Sequence, residues 1–280
     1  MAKHLSDTVA VVTGASRGIG KGIALGLGEA GATVYVTART LEPGGGRGPG
    51  ALPQTAEEVT RLGGHGIAAP CDHTDDAQVA AVFQRVLAEQ GRVDLLVNNA
   101  FATPEQAWEE TPFWELPLEL WDRLISVGLR SYYVASVFAA RYMVAQRRGL
   151  IVNISSVGAR SHFREVPYHV TKAGVDRLTA DTADDLRPHG VAAVSVWPAY
   201  TKTELVLAEE KPTADMLARM ATPQFTGRAV AALAGEPQIM DKSGRLFVVA
   251  MLAEEYGFTD VDGSQPPTPS FAKYHGEPAG

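Results

Sequence analysis

At 280 residues and 45% hydrophobic content, the chain can bury a large core in one domain, and its net charge of -7 offers no basic footprint for nucleic acid or an anionic membrane. A single cysteine, Cys71, excludes an intramolecular disulfide, and with no leader-like segment before Thr8 the cytoplasm is the expected compartment. The most apolar helical stretch, Val134 to Ala145, is broken by Arg141 and is too short for a span of about 20 apolar residues, and no His/Cys cluster has metal-ligand spacing, so no membrane span and no metal are expected.

The first strand is predicted at Thr8 to Val12, followed by Thr13-Gly14-Ala15-Ser16-Arg17-Gly18-Ile19-Gly20 and an amphipathic helix through Ala30. A second strand, Thr33 to Thr37, runs into Ala38-Arg39, and the Gly- and Pro-rich stretch Pro43 to Pro53 reads as a loop. Gly66 to Cys71 is a weaker strand, set at a sheet edge because Pro70 cannot donate a ladder hydrogen bond, and Asp72 follows it. Leu95 to Val97 is a short strand leading into Asn98-Asn99-Ala100. Helical periodicity then covers Trp121 to Ala145, with Gly128 inside it. Further strands are expected at Ile151 to Ile154, Ala192 to Val196 and Leu246 to Ala250, and Thr222-Pro223 reads as an N-cap with proline at the first helical position. Gly31, Gly91, Gly149 and Gly190 stand between helix ends and strands, where glycine supplies a left-handed cap. Beyond Glu254 the composition, with Pro266, Pro267 and Pro269, does not support another packed layer. Strand-helix alternation of this kind predicts an α/β fold: a Rossmann-like, doubly wound parallel sheet in three αβα layers, as a single domain.

Two clusters carry chemistry. The glycine turn sits between strand and helix, where close backbone approach and free N–H groups at a helix N-terminus suit a pyrophosphate, although Gly-x-x-x-Gly-x-Gly differs from the Gly-x-Gly-x-x-Gly spacing. No carboxylate ends the second strand to hold a ribose 2′-hydroxyl. Arg17 and Arg39 are instead suited to a 2′-phosphate, so NADP(H) is expected over NAD(H). Asp72 and Asn98 follow strand ends on the ligand side of such a sheet, a position that ordinary turn-formers also occupy. Tyr168 and Lys172, four apart on a predicted helix, share one face. A neighbouring ammonium would favour phenolate and draw the tyrosine towards its working range as a general acid.

The order of these elements from Ser6 to Ala250 resembles the short-chain dehydrogenase/reductase family: Thr13 to Gly20, Asp72, Asn98-Asn99-Ala100, Ile154-Ser155-Ser156, Tyr168-His169-Val170-Thr171-Lys172, and Pro198 with Thr203. Shorter stretches, Val127 to Arg130, Val166 to Tyr168, Trp197-Pro198 and Tyr256 to Gly263, resemble one subgroup of it. The resemblance implies that Tyr168 protonates a substrate oxygen, Ser156 orients the carbonyl, and Lys172 holds the nicotinamide ribose and lowers the tyrosine pKa. It further implies that Gly14, Ser16, Arg17, Gly18, Ile19, Arg39, Asp72, Asn98, Pro198 and Thr203 lie along the dinucleotide, with Tyr168 and Lys172 at its reactive end. On this basis residues 1–253 would form the NADP-binding domain with a substrate lid near 203–225, and 254–280 a C-terminal extension.

Three positions depart from the family pattern: Phe101 where glycine is usual, Ala199 after Pro198, and Gly128 in place of the helix asparagine of the catalytic tetrad. Gly128 has two readings, space for an ordered water or close helix packing. Phe101, Trp108, Phe113, Trp114, Phe163, Tyr200 and Leu205 fall in segments that shape the substrate pocket, which favours a bulky apolar ketone or aldehyde as small-molecule partner. The alternatives are a 3-oxoacyl thioester reductase and a non-catalytic NADP-binding regulatory protein. A homodimer or homotetramer through the long helices is expected by analogy with related folds.

Overall fold

The computed structural model describes residues 4–45, 49–102 and 111–268; Trp108 and Pro269 lie outside them. In chain order the elements are β1 (Val9–Thr13), α1 (Gly18–Glu29), β2 (Thr33–Ala38), α2 (Leu52–Arg61), β3 (His65–Pro70), α3 (Asp76–Gln90) and β4 (Leu95–Asn98). Then come α4 (Leu118–Ile125), a π-helical turn (Ser126–Arg130), α5 (Ser131–Gln146), β5 (Gly149–Ile154), α6 (Val166–Leu186) and β6 (Val191–Trp197). The chain continues through α7 (Glu204–Glu209), α8 (Ala214–Arg219), α9 (Pro223–Ala234), α10 (Ile239–Lys242), β7 (Leu246–Val248) and α11 (Val249–Tyr256).

All neighbouring strands pair in parallel in one seven-stranded sheet of order β3-β2-β1-β4-β5-β6-β7. The alternation of a strand sorts its side chains into two cores. Ala10 and Val12 of β1, Val34 and Val36 of β2, and Leu95 and Val97 of β4 face one way, with α1, α2, α9 and α11. Val9, Val11, Tyr35, Leu96 and Ile151 face the other, with α3, α5 and α6. This is the three-layer, doubly wound α/β fold expected, with the weak strand β3 at the edge. Strand order reverses between β1 and β4, and a parallel sheet opens a ligand crevice at the carboxyl ends there.

Several local expectations shift. The loop after β2 ends two residues early, at Ala51, because Pro53 fits the first turn of α2, where its missing N–H costs nothing, and Leu52 is fully buried. Before β5 it is Arg147 that takes the left-handed conformation, while Gly149 opens the strand, where a Cβ would lie 2.4 Å from Met143 Cγ. The last strand stops at Val248. Val249, Leu252 and Ala253 instead recur with helical spacing and bury against α9. Thr222 is the N-cap of α9, yet its hydroxyl donates to Asp260 Oδ1 and its N–H to Oδ2 at 2.7 Å, so a tail carboxylate occupies this helix N-terminus. Phe258 packs against Phe225 with ring centres 5.4 Å apart, which brings the start of the tail into the core.

Helices α1 and α9 touch backbone to backbone: a Cβ on Gly26 would lie 2.4 Å from Gly227 C. Among the described residues no helix is long and apolar enough to cross a membrane, and no group of His, Cys, Asp and Glu could hold a metal.

Candidate active site

The glycine turn leaves β1 at the carboxyl edge of the sheet, and two of its glycines, Gly14 and Gly20, are required by contact. A Cβ on Gly14 would lie 2.7 Å from Ala100 Cα, and one on Gly20 would lie 2.4 Å from Gly14 O. The loop after β4 clamps this turn: Asn99 Nδ2 donates to Thr13 O at 2.9 Å and Gly14 O at 3.2 Å, while Thr13 Oγ1 accepts from Asn99 N and Ala100 N. Asn98, expected along the dinucleotide, has a completely buried side chain that donates to Asn153 Oδ1 at 2.8 Å and Ser136 Oγ at 3.0 Å. It ties β4 to β5 and α5. The neighbouring Asn99 is the one that holds the glycine turn, and the alternation of side chains running out of β4 is the signal that separates the two.

Gly18 N, at the first turn of α1, donates to Glu204 Oε2 of α7 at 2.9 Å. A carboxylate therefore stands where the helix dipole and free N–H groups would receive a pyrophosphate, and the residues present fit such a group. Thr203 is the N-cap of α7 and accepts from Val206 N at 3.3 Å; its methyl is 3.7 Å from where a Gly18 Cβ would be. Ser16 is buried in the turn, Ile19 is half-buried against the core, and Pro198 follows β6 half-buried.

At the far end of β2, Arg17 Nη2 donates to Thr40 Oγ1 at 2.9 Å, which brings Arg17 beside Arg39 at the strand end. Arg39 Nη1 lies 3.7 Å from Asp72 Oδ2 and is largely exposed. Asp72 Oδ1 accepts from Thr74 N and Thr74 Oγ1 in a tight turn. Burial would raise the Asp72 pKa, but the Thr74 hydrogen bonds and Arg39 outweigh it and hold the carboxyl below its usual value.

Beyond β5 and β6 the reactive groups meet. Ser156 Oγ and Tyr168 Oη are 2.8 Å apart, and Gly158 N donates to Ser156 Oγ at 3.1 Å, fixing that serine at the mouth of β5. Ser155 is turned inward, its hydroxyl donating to Lys172 O. One helical turn after Tyr168, the buried Lys172 donates from Nζ to Ile154 O at 3.0 Å. Burial lowers its pKa to about 8, and Asp176 opposes that shift. Burial also raises the Tyr168 pKa, against Ser156 and the charge of Arg164. Proximity of Lys172 was expected to lower the tyrosine; here Ser156 and Arg164 supply the counterweight. Arg164 is a residue that sequence reasoning passed over: its guanidinium lies 5.6 Å from the Tyr168 ring centre and pairs with Glu210, at the end of α7, at 3.5 Å.

Aromatic rings flank the pair. Phe101 and Phe163 meet Tyr168 edge-on at 5.8 and 6.0 Å. Phe113 and Trp114 pack on each other and are largely exposed, and Tyr200 donates to Glu210. Gly128 falls in the π-helical turn, buried, and a Cβ there would lie 2.7 Å from Thr171 Cγ2 and 2.9 Å from two Phe101 ring carbons. This contact fits the close-packing reading of Gly128.

The family model for short chain dehydrogenases matches residues 8–213. The mouse protein dehydrogenase/reductase SDR family member 1 is 44% identical over 277 residues, which cover 94% of this chain and 86% of the mouse protein. A 3-oxoacyl-acyl-carrier-protein reductase of Synechocystis is 30% identical over 249 residues, covering 88% of this chain and 96% of that protein. Among solved structures, a metagenomic short-chain oxidoreductase in complex with NADP matches with a TM-score of 0.69 and 33% identity, covering 88% of this chain and 98% of that one.

Proposed function

Because the chain belongs to the short-chain dehydrogenase family, we propose that this oxidoreductase uses NADPH to reduce the carbonyl of a bulky apolar ketone or aldehyde. The observation that carries the reading is the 2.8 Å contact between Ser156 Oγ and Tyr168 Oη, with the buried Lys172 ammonium one turn on. When bound, NADPH supplies the hydride. Ser156 donates a hydrogen bond to the carbonyl oxygen and holds it against Tyr168, which gives it a proton as general acid. Lys172, fixed by Ile154 O, orients the nicotinamide ribose and favours the phenolate left after proton transfer.

Gly14, Ser16, Gly18 and Ile19 would cradle the pyrophosphate, and Pro198 and Thr203 the nicotinamide side. Arg17 and Arg39, with no carboxylate closing β2, support the choice of NADP(H) over NAD(H), as does the NADP held by the metagenomic relative. Phe101 and Phe163 beside Tyr168 support an apolar substrate face. Glu204, Glu209 and Glu210 give the lid an acidic character that ill suits an anionic phosphopantetheine carrier, which weighs against the 3-oxoacyl thioester alternative. The reading extends to the cytoplasm as compartment and to a homodimer or homotetramer, for which the exposed Trp121 and Tyr133 on the α4 and α5 stretch are the supporting surface.

The test is NADPH oxidation with ketones, aldehydes, quinones and acyl thioesters, run on the native chain and on Tyr168→Phe. Ketones or aldehydes should turn over best, and the variant should lose roughly 10²- to 10⁴-fold in rate with NADPH affinity nearly intact. Preference for acyl thioesters, absence of all turnover, or an undiminished variant would each overturn a stated part of the reading. Sedimentation at micromolar concentration checks the oligomer.

A further inference from the structure

Lys172 is held by more than a backbone carbonyl. Its Nζ lies over the face of the Phe101 ring, 4.7 Å from the centroid, and the same ring stands nearly perpendicular to that of Tyr168 at 5.8 Å. Phe101 follows directly on Ala100, whose N–H is bound to Thr13 Oγ1, so the turn that shapes the glycine loop also aims the ring. The ring also fills the volume that any side chain at Gly128 would enter, since a Cβ there would lie 2.9 Å from its Cδ2 and Cε2. A large residue at 101 and none at 128 are thus complementary in size, across two elements distant in sequence.

Ile154 O of β5 accepts one N–H of Nζ; the Asp176 carboxyl, one turn further along α6, is engaged by Ser195 Oγ at 2.6 Å and by Trp197 Nε1; Tyr168 stands one turn before. Arg164 acts on Tyr168, and Arg160 on Asp176. A buried ammonium is costly, and the negative face of an aromatic ring is one of the few apolar surfaces that repays part of the lost hydration.

We infer that Phe101 is a positioning residue, whose ring face holds the Lys172 ammonium in place and stabilises its charge, in a space kept open for it by Gly128. This rests on the reading of Lys172 as the working partner of Tyr168. The charge-stabilising part distinguishes it from simple packing, because packing depends on the ring's shape and charge stabilisation on its quadrupole.

The experiment replaces Phe101 with 3,4,5-trifluorophenylalanine, which keeps the shape and weakens the negative ring face, and follows the titration of the Lys172 ammonium by NMR in the ligand-free protein. Its signal is assigned by its loss in Lys172→Arg. Less stabilisation of the charge lowers the midpoint, by about half to one pH unit for a desolvated contact. The thermal midpoint should barely move. Phe101→Leu should shift the Lys172 titration in the same direction, and Phe101→Tyr, which restores a ring face, should return it close to the native value. A Lys172 midpoint unmoved by fluorination overturns the inference, even where Phe101→Leu moves it, because the ring would then act through its shape alone. If the midpoint moves but no carbonyl compound is reduced, the contact stands and the proposed function fails. If reduction proceeds and the midpoint is unmoved, the function stands and the role of Phe101 fails.

Discussion

Arg39 stands at the end of β2 with its guanidinium shared only loosely with Asp72, at 3.7 Å, and is therefore available to a phosphate. A charge-assisted hydrogen bond contributes about 1.5–3 kcal/mol, so Arg39→Asp should weaken NADPH binding by roughly ten- to a hundredfold and leave NADH the better ligand. Fluorescence titration of both cofactors checks this; equal affinities in the native protein would refute the assignment. His73, the next residue after Asp72, makes a prediction about pH. Its Nε2 lies 2.7 Å from Thr37 Oγ1, its Nδ1 is buried without a hydrogen-bond partner, and burial depresses its pKa to about 4. Between pH 6.5 and 4 the unfolded chain therefore binds a proton that the folded chain refuses. Stability falls as pH drops through that window, by on the order of 3 kcal/mol from this group. Urea midpoints measured at pH 7 and 4.5 should show a steeper loss in the native protein than in His73→Gln, and parallel losses would contradict it.

At the level of elements, α7 and α1 are joined by one contact with a direct consequence for binding. Glu204 reaches across to Gly18 N at the α1 N-terminus, so a pyrophosphate arriving there must displace a carboxylate. An anion at a helix N-terminus gains about 0.3–1 kcal/mol, and Glu204→Gln, which removes the competing charge, should tighten NADPH by roughly two- to fivefold at low salt. Unchanged or weaker binding would mean that the carboxylate does not compete. Tyr200 and Arg164 both meet Glu210, at the end of α7, so the end of α7 is tied to the loop before α6. The π-helical turn at Ser126–Arg130 acts in the same local way, bringing Gly128 against Thr171 of α6 and the ring of Phe101.

For the whole molecule, the cofactor crevice draws on the carboxyl ends of β1, β2, β4, β5 and β6 at once, and a ligand that spans them stabilises the folded chain as a unit. At a hundred times its dissociation constant NADPH should add about 2.7 kcal/mol, which for a chain of this size is a rise of roughly 5 °C in Tm. NADH at the same concentration should give clearly less, by differential scanning calorimetry; equal shifts would count against the 2′-phosphate site.

What the sequence alone determined are the features whose signal is local. Continuous apolar runs mark strands buried on both faces, the glycine turn between β1 and α1 is read from three positions within one loop, and the four-residue spacing of Tyr168 and Lys172 puts them on one face of any helix. Ser156 was singled out only through the resemblance of Ile154-Ser155-Ser156 to the family's motif. The tertiary structure decided everything that depends on which way a side chain points across elements far apart in the chain. Asn98 turns into the core while Asn99 clamps the glycine turn, because alternate residues of β4 face opposite sides. Val249 begins a helix rather than extending β7, because its neighbours at helical spacing bury on α9. Phe101 lies on Lys172, Glu204 on Gly18 and Asp260 on Thr222, all through contacts closed by packing between distant segments, and no periodicity or propensity within a window of sequence encodes which distant partner fills a given space.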